Sequence, residues 1–148
     1  MKKVIFFGLT ISLVIISCAK QESKFPQGAW QLVQTQREVN GITEVRFPVT
    51  WSGSMIKMWS EKNWSNIGKY VNDTISEDMY AGGTYTLEGS QYEEDILYHS
   101  NKNYEGRIST NMTLGLRNDT LILTYHPIDA NGQVRDTITA IEKFIQLK

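Results

Sequence analysis

The chain has 148 residues, 41% hydrophobic and 21% charged, with a formal net charge of −1 and one cysteine. So mild a charge, with no run of Lys and Arg, excludes a nucleic-acid binder that works by neutralising phosphates. A lone cysteine excludes an intramolecular disulfide, so the fold must hold through its core.

The first residues read as a leader and not as fold. Lys2 and Lys3 precede an apolar run over residues 4–16 that is short for a membrane span. The run ends in Ile15-Ile16-Ser17-Cys18, which resembles the lipobox of bacterial lipoproteins: two aliphatic residues, a small one, then cysteine. The resemblance implies a signal peptide over residues 1–17, acylation of Cys18 as the new N-terminus, and a tether over residues 18–24. Each buried acyl methylene contributes about 0.8 kcal/mol, so two or more chains hold stably. The lipid bilayer is then the first expected partner. Ala19 stands where lipoproteins kept in the inner membrane of enteric bacteria carry Asp, which points to a lipid-anchored position in the outer membrane. Without the two leader lysines, 13 basic residues stand against 16 acidic ones, a formal charge of −3.

Residues 25–148 read as one domain, a run of strands; roughly 120 residues suffice to bury about two-thirds of the unfolded chain's surface. Residues 28–39 alternate, with Trp30, Leu32 and Gln34 on one side. Residues 54–59 and 64–71 flank the polar turn Ser60-Glu61-Lys62-Asn63, which places Trp59 across from Trp64. Residues 72–81 interrupt the pattern as a polar loop with room for a turn of helix. Gly89-Ser90 then makes a tight hairpin, setting Leu87 opposite Tyr92 and Tyr85 opposite Glu94. One face of that hairpin carries Tyr85, Leu87, Tyr92, Glu94, Ile96 and Tyr98; the solvent face carries Thr84, Thr86, Glu88, Glu93, Asp95 and His99. Asn118-Asp119 joins residues 107–116 to 120–126, pairing Leu116 with Leu121 and Leu114 with Leu123, with Met112 opposite Tyr125. Asn131-Gly132 closes the last hairpin, setting Tyr125 against Ile138, and the final strand runs to about Leu147.

About eight strands, joined mostly by hairpins and with no amphipathic helix, predict an all-β fold, an antiparallel up-and-down β-barrel. Glu93 and Asp95 on the outer face argue against a barrel embedded in the membrane.

Gly28-Ala29-Trp30, just after Pro26, resembles the Gly-x-Trp signature of lipocalins, whose tryptophan closes one end of the barrel. Taken with the strand count and the stretch GGTYTLEGSQYEEDILY, residues 25–148 resemble the lipocalin-like domain of Bacteroidetes lipoproteins. The chain departs from true lipocalins in having no arginine on the last strand to pack on Trp30, for which Lys143 is a candidate substitute, and in having no disulfide. The resemblance implies a fold and a cavity, and no chemistry.

Tyr85, Tyr92, Glu94, Tyr98, Met112, Leu114, Leu123 and Tyr125 are the residues expected to line or support a lumen. Trp59 and Trp64 are placed either to grip a flat apolar ligand or to pack on each other. Glu94, on an apolar face, must be hydrogen-bonded; it is either a structural partner of tyrosine hydroxyls or a contact for a polar or cationic ligand group, with general-acid chemistry as a further option. His99 and His126 stand alone, without metal-ligand spacing. No phosphate loop, nucleophile elbow or catalytic cysteine appears, so no metal, no cofactor and no enzymatic activity are expected. The expected function is an envelope-anchored lipoprotein that binds a small, largely apolar ligand in its lumen. The alternative is an interaction lipoprotein with a packed barrel that meets an envelope partner through its loops, residues 72–81 above all. The anchor is checked directly: Cys18→Ser is expected to block palmitate labelling and leave the precursor uncleaved, and normal labelling of that variant would remove the outer-membrane assignment.

Overall fold

The computed structural model describes residues 26–129 and 131–148; the leader, Cys18 and the tether lie outside the described residues. The alternating stretches are strands: β1 (Gly28–Val39), β2 (Ile42–Phe47), β3 (Ser52–Trp59), β4 (Asn63–Val71), β5 (Ser76–Glu88), β6 (Gln91–His99), β7 (Arg107–Arg117), β8 (Thr120–Tyr125) and β9 (Ile138–Gln146), with one turn of 3-10 helix at Lys102–Tyr104. They form one antiparallel sheet in the order β2-β1-β3-β4-β5-β6-β7-β8-β9, and β9 returns to pair with β1. The sheet is a closed up-and-down barrel. Residues 35–39 of β1 pair with β2 and residues 28–31 with β3, so β2 and β3 together fill one of eight positions around the wall. This architecture is consistent with a lipocalin-like fold.

Turn chemistry sets the registers. Gly89 has φ +62°, and the pairs Leu87–Tyr92 and Tyr85–Glu94 form as the sequence predicts. Asn118 and Asp119 both adopt positive φ (47° and 61°), the primed geometry that matches strand twist, and Leu114–Leu123 and Leu116–Leu121 pair across it. Trp59 pairs with Trp64 as expected.

Four expectations are corrected. β2 is a strand beyond the expected eight, made by the hairpin signal Asn40-Gly41 with φ of 52° and 77°. Residues 72–81 are not a long loop: Asn72 Oδ1 accepts from the backbone N–H groups of Thr74 and Ile75, which tightens the turn, and β5 already starts at Ser76. The last hairpin pairs Tyr125 with Ala140, two residues beyond the expected Ile138. Pro127 has no N–H to continue the ladder, and Asp129 Oδ1 takes the N–H groups of Asn131 and Gln133 into a wider turn. Lys143 faces outward and donates to Gln34 Oε1 at 2.8 Å. A bulge at Val33 puts Gln34, not Val33, opposite it; Lys143 lies between the inward Glu142 and Phe144 and so points away from Trp30.

The chain's turns divide the barrel into two ends. At one end lie the start of β1, the end of β9 and the β3–β4, β5–β6 and β7–β8 turns. That end is packed solid by Trp30, Leu32, Trp59, Tyr92, Leu114, Leu121 and Phe144, each fully buried side chain contributing about 1.5–3 kcal/mol. Trp30 Nε1 donates to the Pro26 carbonyl at 2.8 Å, and Trp59 meets Phe144 edge-on with centroids 6.0 Å apart. Toward the other end, Trp51 stacks between Phe47 and Tyr70, at 4.4 and 5.2 Å, where β2 gives way to β3.

A bulge in β6 opposite Gly82-Gly83 decides what faces the lumen. Gly83 pairs with Ile96 and Gly82 with Tyr98, leaving Leu97 unpaired. Parity flips there: Tyr98 turns outward, 46% exposed, and lies over Gly82, while His99 turns in. A Cβ on Gly83 would stand 1.8 Å from the Asp95 carbonyl oxygen, whereas one on Gly115 would meet nothing within 4 Å. Gly83→Ala is therefore expected to lower unfolding free energy by about 2–3 kcal/mol or more in urea denaturation, with Gly115→Ala near neutral; equal effects would show that no close approach exists at Gly83.

Candidate functional site

The half of the barrel toward Val39, Val71, His99 and Ile138 is hollow. A cavity of about 720 Å³ opens there, with Trp64 and Lys57 among its lining residues. Met55, Met79, Ile96, Met112 and Leu123 supply apolar wall, and Glu94, Glu142, Tyr125, Asn66 and His99 supply polar groups. Tyr104, Arg107, His126 and Ile128, from segments between or at the ends of strands, also border it.

Five residues expected from the sequence border this cavity: Trp64, Glu94, Met112, Leu123 and Tyr125. Four do not. Trp59, Tyr92 and Leu114 are sealed in the packed half, and Tyr85 sits beside Tyr92 with its hydroxyl on the Ser60 carbonyl. Tyr98 is on the outer surface, for the bulge reason given above. Gly28 and Trp30 belong to the packed end, where Gly28 takes φ +118° and a Cβ would press on Gln146 at 3.1 Å.

Glu94 is not alone. Parity along β3 carries Met55, Lys57 and Trp59 to one face, so a lysine enters the lumen with them. Lys57 and Glu94 are 4% and 5% exposed, and Lys57 Nζ stands 2.5 Å from Glu94 Oε1. Tyr92 donates its hydroxyl to the same oxygen at 2.7 Å, and Trp59 Nε1 donates to the Tyr92 oxygen at 2.8 Å. The ammonium also lies 4.4 Å from the Trp64 ring centroid and 5.3 Å from that of Trp59, within cation–π range. Burial, reinforced by the Glu94 charge, pushes the Tyr92 hydroxyl far above its ordinary pKa, so it stays a neutral donor.

Glu142 on β9 is the second inward carboxylate, opposite Leu123 and between Ala140 and Phe144. Its Oε1 accepts from the Tyr125 hydroxyl at 2.9 Å. Burial raises its pKa; Lys57 and the Tyr125 hydrogen bond work against that rise, and Glu94 adds to it. Tyr125 is raised well above its usual value, by burial first and then by Glu142. Lys57 and Glu142 are not among the residues expected from the sequence, though strand parity from Trp59 and Phe144 marks both.

Both histidines are neighbours of the cavity. His99 Nδ1 accepts from the Asn101 backbone N–H at 2.8 Å, so its proton sits on Nε2; burial lowers its pKa, and its ring lies 4.9 Å from Tyr104. His126 Nδ1 faces the Ile138 carbonyl at 2.8 Å and so donates. Arg107 stacks on Tyr104 at 5.7 Å. Among the described residues no group of three His, Cys, Asp or Glu is placed to hold a metal ion. No protein-family model matches this chain, and no match is found among curated sequences.

The two carboxylates predict opposite responses. Glu94→Gln leaves the Lys57 ammonium buried without its counter-charge and is expected to cost about 3–5 kcal/mol. Glu142 binds its proton more tightly folded than unfolded, so its contribution to stability falls as pH rises between the two pKa values. Glu142→Gln is therefore expected to raise the melting temperature near neutral pH, with the gain vanishing as pH falls below the ordinary carboxylate range. Thermal scans across pH check both signs, and a destabilised Glu142→Gln at neutral pH would contradict the assignment.

Proposed function

We propose that this chain is a binding protein that takes a small, largely apolar ligand into the hollow half of its barrel. We further propose that it is a lipocalin-like lipoprotein held on the outer membrane by acylated Cys18, and that it is not an enzyme. The observation that carries the reading is the division of the barrel: one end filled with Trp, Tyr, Leu and Phe, the other left as a cavity of about 720 Å³. A volume of that size falls in the range of small-molecule sites, which are concave and mostly apolar with a few placed polar groups. Three of its wall residues are methionines, Met55, Met79 and Met112, whose flexible thioethers repack around ligands of different shape.

A second reading, contact with an envelope partner, draws on the outside of the barrel. Ile56, Ile67 and Tyr80 lie in register across β3, β4 and β5, and Ile67 and Tyr80 are 53% and 46% exposed. The lumen reading is preferred because the interior, which a purely structural barrel would fill, is left open.

The test is occupancy. Ser109 is an inward neighbour of Glu94 on β7 and borders the cavity. The neutral dye N-phenyl-1-naphthylamine is expected to bind the full chain in nanodiscs with a stoichiometry near one, above a blank of empty nanodiscs. Ser109→Trp fills the lumen and is expected to weaken that binding by about tenfold or more. Undiminished binding to Ser109→Trp would move the site out of the barrel.

A further inference from the structure

The ligand's head group can be read from the charges inside the barrel, granted the lumen-binding reading above. Two carboxylates, Glu94 and Glu142, border the same cavity, and Lys57 is the one lysine beside them. Each carboxylate spends only one oxygen: Glu94 Oε1 takes Lys57 and Tyr92, and Glu142 Oε1 takes Tyr125. The second oxygen of each has no hydrogen-bond partner among the described residues. Glu94 is 5% exposed, so its free oxygen is reached only from the cavity side, where a donor brought to it adds a charge-assisted hydrogen bond. With both carboxylates ionised, Glu94, Glu142 and Lys57 sum to one negative charge; Arg107 also borders the cavity, with its guanidinium on the Tyr104 ring and the Asp129 carbonyl.

We propose that the lumen selects a ligand with a cationic nitrogen head, an alkylammonium or guanidinium group on an apolar body, held by the free oxygens of Glu94 and Glu142. The head supplies N–H donors to both oxygens and a positive charge. The aromatic ring of Tyr125 and the thioethers of the wall receive the body. A bare metal dication is a poorer fit, because the Lys57 ammonium stands on the same carboxylate. A fatty acid is poorer still, since its carboxylate would face two others.

Titration of the site follows the same logic. Glu142 is faced by Lys57 from β3, Glu94 from β6 and Tyr125 from β8, with Thr35 opposite it on β1. Tyr104, Arg107, His99 and His126 border the same cavity. Raising pH ionises Glu142 and discharges His99, and both changes favour a cation.

The experiment uses the full chain in nanodiscs with methyl-labelled methionine. Met55, Met79 and Met112 border the cavity, while Met58 lies on the outer face and reports binding elsewhere. Hexylammonium, hexanol and hexanoate are titrated against the methyl resonances. Hexylammonium is expected to shift Met55, Met79 and Met112 with about tenfold or higher affinity than hexanol, as a charge-assisted buried hydrogen bond requires, with hexanoate weakest. Glu142→Gln is expected to bring the hexylammonium-to-hexanol ratio close to one. On the unaltered chain the ratio is expected to rise as pH is raised from the ordinary carboxylate range upward. Equal affinities for the three probes, a preference for hexanoate, or a ratio unchanged in Glu142→Gln would overturn the cationic head while leaving lumen binding intact. Lumen shifts absent for all three probes, or shifts confined to Met58, would overturn both readings.

Discussion

The Lys57–Glu94 ion pair is the constraint on which the interior depends. Two charges removed from water lose several kcal/mol of hydration each, and mutual attraction repays this only when further partners complete the geometry. Here the partners are aromatic: the Tyr92 hydroxyl on the carboxylate, Trp59 behind Tyr92, and the Trp64 face beside the ammonium. Those rings must be rigid to serve, and they are held by the tight packing of the closed end. The pair therefore sits at the boundary between packed core and cavity, with rings below it and open space above. Filling that space with apolar side chains would strand the second oxygen of Glu94.

Small departures from regular strand geometry decide which residues reach this boundary. The bulge at Leu97 sends Tyr98 out and His99 in, and Gly82-Gly83 gives it room. The irregularity between Tyr92 and Glu94, where β7 carries Asn111 at φ 58°, brings both Ser109 and Met112 to the inner face. The break at Val33 turns Thr35 toward Glu142 and Gln34 outward onto Lys143. Each adds one residue to a strand of period two, so each reverses every side chain beyond it.

Glu142 gives the site its tension. It is buried near a second carboxylate, with Lys57 and one tyrosine hydroxyl to offset the cost, and its pKa is held above the ordinary range. Groups that lower stability are concentrated at functional sites. The closed end supplies the compensating stability, from side chains such as Tyr92, Leu121 and Phe144 that are fully buried.

The class of fold is legible in the chain alone, because alternation of period two and primed-turn residues at Gly89, Asn118 and Asp119 act within a few residues of one another. So are the pairings across those turns and the inward aim of Tyr92, Glu94, Leu114 and Leu123, all within short reach of a turn. What lay beyond a bulge was not legible, since a bulge depends on the approach of a neighbouring strand: Tyr98 and His99 exchanged faces for that reason. The wide turn at Asp129 escaped too, because a side chain outcompeted the expected Asn-Gly geometry. Only the closed barrel could decide that Lys57 meets Glu94 across the lumen and that Glu142 faces the same space, because these residues lie on strands distant in sequence. Whether bulky inward residues fill a barrel or leave half of it empty is likewise a sum over all strands, and only tertiary packing performs it.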